Sequence, residues 1–252
     1  MCGRYLITSA PEAMRTLFRY VEQSNFPPRY NVAPTQPIAI VRLMEGKRHF
    51  ALVRWGLLPS WVKDPKSFAL VINARGESVL DKPAFRAAMK RRRCLIPADG
   101  FYEWQAAGGG KRPFFIRAKS GAPLAFAGLW ETWTGPNGEE METAAIVTTR
   151  ANRMLSIIHE RMPAIIPPKA FDFWLDGDAV DAASAAALIA PAADDLLEAH
   201  EISTAVNHTA NDHPTLLESV ISEQSLPEPV RASAPPAPAK RVKKDDGQGV
   251  LF

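Results

Sequence analysis

Leu124-Ala-Phe-Ala-Gly-Leu-Trp-Glu-Thr-Trp-Thr-Gly-Pro-Asn-Gly-Glu-Glu-Met-Glu-Thr-Ala-Ala-Ile-Val-Thr-Thr149 sets two apolar runs either side of Asn137-Gly138. That dipeptide tolerates the positive φ values of a tight turn, so the stretch predicts an antiparallel hairpin. The same reading extends outward. Ile38–Leu43 and His49–Trp55 are strands joined at Glu45-Gly46, and Cys94–Pro97 and Gly100–Gln105 flank a tight turn. Gly108-Gly109-Gly110 leads from the latter into Pro113–Ala118 as a second hairpin. Cys2–Thr8 and a stretch near Glu201–Val206 read as further strands, and Phe26–Pro37 and Gly56–Ser67 as loops.

Helices interrupt this pattern without a βαβ rhythm. Ser9-Ala10-Pro11-Glu12 matches a capping box ahead of Met14, Leu17, Phe18 and Val21 at helical spacing. Pro83–Arg92, Arg150–Ile158, a short segment around Phe171, Trp174 and Leu175, and alanine-rich residues around 178–198 are also expected to be helical. The expected fold is therefore α+β, with a mainly antiparallel barrel-like or two-sheet core and short peripheral helices.

The chain has 252 residues, 46% of them hydrophobic, enough for one sizeable core. Residues 2–224 read as a single domain and 225–252, rich in Pro, Ala and Lys, as a disordered tail. No apolar run has membrane length and no signal peptide is evident, so a cytoplasmic protein without membrane partners is expected. Cys2 and Cys94 are the two cysteines, too few for a disulfide scaffold. HExxH, CxxC, GxGxxG and Walker patterns are missing, so neither a metal nor a cofactor is expected. The formal charge of +3 decides little, because the segment from Leu226 carries five cations against three carboxylates.

Four polar residues stand inside apolar strings: Cys2, Asn73, Glu103 and His159. If Met1 is removed, Cys2 presents an α-amine and a thiol together, titrating near ~8 and ~8.5. Such a 1,2-aminothiol condenses with an aldehyde to an imine and closes to a thiazolidine. A small buried thiol is the plainer reading of Cys2. Asn73 could satisfy a turn, Glu103 could be solvated opposite Tyr102 and Trp104, and His159 could end a helix. Were Glu103 buried, its pKa would rise and its carboxyl could exchange protons near neutrality. Lys90-Arg91-Arg92-Arg93 reads as a solvated helix face or as a phosphate contact.

Met1-Cys-Gly-Arg4, Tyr30-Asn-Val-Ala-Pro34, Ile72-Asn-Ala-Arg75-x-Glu77, Gly100-Phe-Tyr-Glu-Trp104, Ile146-Val-Thr148 and His159-x-Arg-Met-Pro163 follow one another along the chain. With Trp55-Gly56, Arg93–Pro97 and Gly128-Leu-Trp130 they resemble the SOS response-associated peptidase family over residues 2–217. The resemblance implies an abasic-site sensor that becomes covalently joined to single-stranded DNA, in the cytoplasm and associated with the nucleoid. It implies Cys2 as nucleophile, Asn73 and Glu103 as groups that orient and deprotonate, and His159 as a proton carrier for ring opening. DNA contacts are implied at Arg4, Pro34, Trp61, Arg75, Thr148 and Arg161, with Trp61 and Pro34 as an apolar wedge against a base. For the arginines, intramolecular ion pairs are the competing reading.

Two other functions fit the same residues. Cys2, Glu103 and His159 could serve a thiol peptidase, including self-removal of Met1, and a non-covalent single-stranded DNA-binding module is the third reading. Gln248-Gly-Val-Leu251-Phe252 resembles the peptide by which bacterial replication proteins dock on the sliding clamp, through Gln248, Leu251 and Phe252.

Overall fold

In the computed structural model, which describes residues 2–220, the first half of the chain runs β1 (Tyr5–Ile7), α1 (Pro11–Phe18), β2 (Arg29–Val32), β3 (Pro37–Met44), β4 (Lys47–Trp55), β5 (Asn73–Arg75) and α2 (Pro83–Arg91). It continues through β6 (Arg93–Ala98), β7 (Gly100–Ala107), β8 (Gly110–Ala118), β9 (Leu124–Thr134), β10 (Glu140–Arg150), β11 (Arg161–Pro163), α3 (Phe171–Leu175), α4 (Ala182–Ala186) and β12 (Leu197–Glu201). The boundary at 224, the expected tail and Gln248, Leu251 and Phe252 lie outside the described residues. Among the described residues no helix is long and apolar enough to cross a membrane.

The strands form the expected α+β arrangement, in two sheets. β9 and β10 pair as predicted, Glu140 opposite Thr134, around a loop in which Gly138 takes φ +83°. β10 also runs parallel to β4, which pairs with β3; β3 pairs with β6 and β6 with β9. Five strands therefore close into a barrel with no free edge among them. The second sheet has the order β12-β8-β7-β1-β2.

One core joins the two sheets. Tyr5, Phe101 and Ile116 of the open sheet pack in the same cluster as Ile40, Val53, Trp55, Ile96, Phe126 and Met162. The opposite face of the open sheet carries Leu6, Tyr102 and Phe115 against Ile202, Val206 and Leu216. Strand alternation thus directs Phe101 and Glu103 toward the barrel and Tyr102 away from it.

Several local expectations give way to longer-range partners. Ser9 does not cap α1: the cap is Ala10, and the Ser9 hydroxyl and amide donate instead to Asp99. β6 and β7 follow the expected tight turn yet lie in different sheets, with Asp99 at the corner. Arg29–Val32, expected as loop, is a strand beside β1. Arg150–Ile158 provides only one 3-10 turn, Leu155–Ile157. The last strand lies at Leu197–Glu201, and Thr204–Asn207 is a 3-10 turn. Arg93 is 2% exposed and donates to the carbonyls of Met89, Trp174, Asp176 and Val180, while Arg92 pairs with Glu131. The basic run is therefore only half solvated: its last two guanidiniums hold α2 and α3 to the barrel.

Candidate functional site

The ends of β1, β5 and β7 meet the chain between the 3-10 turn 155–157 and β11. Asn73, the first residue of β5, donates its Nδ2 proton to the Cys2 carbonyl at 2.9 Å. Its register opposite Ile146 of β10 holds the Asn73 backbone in place, and its Oδ1 is buried without a hydrogen-bond partner. Cys2 is fully buried, its Sγ 4.0 Å from the Arg4 carbonyl. Burial, and then the nearby Glu103 carboxylate, push its thiol well above the ordinary range, so it stays protonated at neutral pH.

Glu103 follows Phe101 and Tyr102 on β7 and faces the barrel where the apolar core ends. It is 2% exposed, and burial raises its pKa to about 7. Glu103 Oε2 lies 3.9 Å from His159 Nε2. The Arg161 backbone N–H donates to His159 Nδ1 at 3.0 Å, an acceptor role open to the neutral ring, and the Arg161 carbonyl lies 3.3 Å from the same nitrogen. Burial lowers the His159 pKa, favouring that neutral form. A carboxyl that titrates near 7 and an imidazole N–H thus sit beside a protonated thiol whose carbonyl is fixed by an amide.

The implied DNA contacts divide into two groups. Thr148 is buried in β10, paired with both Arg75 of β5 and Pro163 of β11. Arg161 is 8% exposed; its Nη2 donates to Thr148 O and Oγ1, and its guanidinium forks onto Glu77. Arg75 is exposed and, with Arg150, Ala151, Ser156, Glu160 and Arg161, lines a cleft of about 490 Å³. Arg4 is half-buried, donating Nη1 to Asn31 Oδ1 and the Val206 carbonyl at 2.7 Å each and lying 5.9 Å from the Trp104 ring. Arg75 thus faces solvent, Arg161 is in an ion pair, and Arg4 is hydrogen-bonded to neutral groups within the protein.

Pro34 and Trp61 occupy two loops secured to the end of β4. Thr35 N–H donates to the Trp55 carbonyl, and Gly56 N–H to the Ala144 carbonyl. Trp61 is 58% exposed and meets Phe68 edge-on, while Val62 beside it is buried. The Trp61 loop leads directly into Asn73.

In the sequence Asn31 and Glu77 stand inside motifs with no role attached to them. Asn31 Nδ2 is within reach of the carbonyls of Val206, His208 and Asn211 while its Oδ1 holds Arg4. No local pattern could reveal this, since the acceptors lie far along the chain. Among the described residues no group of three or more His, Cys, Asp or Glu is placed to hold a metal ion.

A family model described as SOS response associated peptidase (SRAP) matches residues 1–209. The chain is 37% identical over 223 residues to abasic site processing protein YoqW of Bacillus subtilis (strain 168), covering 87% of this chain and 100% of that protein. It is 32% identical over 278 residues to abasic site processing protein HMCES of Gallus gallus, covering 93% and 82% respectively. A crystal structure of a protein from Bacteroides thetaiotaomicron matches with TM-score 0.77 and 25% identity over 87% of this chain and 100% of that one. A second, from Bordetella bronchiseptica, gives 0.71 and 28% over 80% and 100%.

Proposed function

Because this chain belongs to the SOS response associated peptidase (SRAP) family, we propose that it processes abasic sites in DNA, capturing the ring-opened sugar of a single strand on Cys2. The observation that carries this reading is the 2.9 Å bond from Asn73 to the Cys2 carbonyl, made beside the Glu103–His159 pair. It orients the one residue able to offer an amine and a thiol to the same carbon. The relatives' names, abasic site processing protein, support the choice of substrate.

The reaction follows from proton positions. As the hemiacetal opens, the bond from the anomeric carbon to the ring oxygen breaks, the imidazolium form of His159 protonates the ring oxygen, and the anomeric hydroxyl gives its proton to the Glu103 carboxylate, from which it returns to His159. With Met1 removed, Glu103 takes a proton from the Cys2 ammonium, and the amine adds to the aldehyde carbon. Loss of water, its hydroxyl protonated by Glu103 and the nitrogen's proton then taken up by the same carboxylate, leaves an imine. The thiol then adds to the imine carbon, and its proton passes to nitrogen as the thiazolidine closes. One water is released overall. A thiol protonated at rest suits this order, amine first and sulfur second, better than acyl transfer through a resting thiolate. Diversion of the imine to β-elimination would give strand incision in place of the ring.

Single-stranded DNA with one abasic site, incubated with the Met1-processed protein, is expected to give a heat-stable adduct one water lighter than the sum. Cys2→Ala keeps the amine and loses the sulfur, so the stable adduct should disappear. An undiminished yield from Cys2→Ala would reject Cys2 as the nucleophile.

A further inference from the structure

Arg161 is held twice over. Its Nη1 and Nη2 donate to the two oxygens of Glu77 at 2.6 and 2.9 Å, and Nη2 donates again to Thr148 O at 2.8 Å and Oγ1 at 3.1 Å. Thr148 is buried in β10 and fixed by pairing on both sides. The guanidinium therefore has buried anchors that do not involve Glu77. Glu77 itself is different: its side chain is 47% exposed, on the 3-10 turn Gly76–Ser78 just after β5. Its pKa is lowered first by the hydrogen bonds from Arg161 and further by the charge of Arg150. The cleft bordered by Arg161 is lined by Arg75 and Arg150 as well, with Glu160 as the carboxylate in its lining. Two guanidiniums, of Arg161 and Arg150, thus act on one exposed carboxylate that Arg161 seats bidentately, and both border a cleft that Arg75 also lines.

A carboxylate and a phosphodiester accept the same pair of parallel N–H donors from a guanidinium. We propose that Glu77 is an internal stand-in for a DNA backbone phosphate, seated on Arg161 in the free protein and displaced to solvent when a phosphate enters the cleft of Arg75, Arg150 and Arg161. This rests on the reading of a DNA-processing protein given above. The exchange conserves the hydrogen bonds of Arg161 and leaves Glu77 only a short way to move. It also confers selectivity. A lone small anion must compete with a tethered carboxylate, whereas a strand brings several phosphates and reaches Arg75 and Arg150 at the same time. A purely positioning role for Glu77 predicts the opposite sign, since Arg161 would then bind DNA worse without it.

The test measures binding of an intact single-stranded oligonucleotide, without an abasic site, by fluorescence anisotropy over a range of salt. Glu77→Gln and Glu77→Ala are expected to bind roughly two- to fivefold tighter at low salt, the scale of an exposed ion pair. The salt slope should steepen by up to ~0.7, because the wild type must take up a cation at the released Glu77. Equal or weaker binding by variants of unchanged Tm overturns the proposal. Should they fold poorly, Arg150→Ala in the otherwise native chain is expected to weaken binding severalfold, and unaltered binding there overturns it equally. Parallel incubation with abasic DNA separates the two readings. Tighter binding by Glu77→Gln without covalent capture by the wild type rejects capture alone, while capture without any gain from Glu77→Gln rejects the stand-in alone.

Discussion

Glu103 is held where folding disfavours its charge. Its carboxyl titrates near 7 in the folded protein, against an ordinary value near ~4.3 in the unfolded chain. A raised pKa means that its contribution to stability is complete below the unfolded value and is lost as pH rises through about 7. Glu103→Gln, which imitates the protonated form, should therefore stabilise the fold by roughly 2 kcal/mol more at pH 8 than at pH 5. Urea denaturation at the two pH values checks this, and a gain independent of pH would contradict it. The same variant should lose capture, since the amide accepts no proton. In the sequence, Glu103 is visible as a carboxylate between aromatics, but its burial depends on a second sheet lying over it. Asn73 was equally open to a turn role. Its real partner is the Cys2 carbonyl, 71 residues away, and a contact of that span leaves no periodic trace.

At the scale of elements, β7 is where local pattern and distant packing meet. Gly100 begins the strand with no room for a side chain: a Cβ there would lie 2.5 Å from the Ile116 carbonyl oxygen and 2.4 Å from the Phe115 ring. Gly100→Ala is expected to cost about 1–3 kcal/mol through overpacking, and to shift β7 enough to slow adduct formation through Glu103. A thermal melt and a capture time course read the two effects, and an unchanged Tm would reject the argument. The β3–β4, β7–β8 and β9–β10 hairpins were legible because each is set by a turn within a few residues. Barrel closure was not. The parallel pairing of β4 with β10 joins Trp55 to Ala144, and neither strand differs in composition from one at an open edge. The capping box failed for a related reason, since Asp99 competes successfully for Ser9 and no local rule includes it.

Across the whole molecule, the site depends on both sheets and on a latch between the two ends of the described chain. Asn31, fully buried, ties β2 to the segment 206–211 and holds Arg4 at the same time. Asn31→Ala leaves several polar groups without partners and is expected to cost about 2–4 kcal/mol. Because Arg4 lies two residues from Cys2, capture should fall even where the variant remains folded. Amide exchange would show the loosening directly, as reduced protection in 204–212, and protection equal to wild type would exclude the latch. The barrel has a further consequence, in time. β10 meets β9 and then β11 along one edge and β4 and then β5 along the other, so the barrel lacks its closing strand until synthesis passes residue 150, and β10 lacks its last partner until residue 163. At about 5–20 residues per second, roughly ten to thirty seconds separate the making of Cys2 from that point. During this interval Cys2 lacks the full burial it has in the folded protein. The residue on which the proposed chemistry depends is thus among the first to be made, and its surroundings are among the last to be completed.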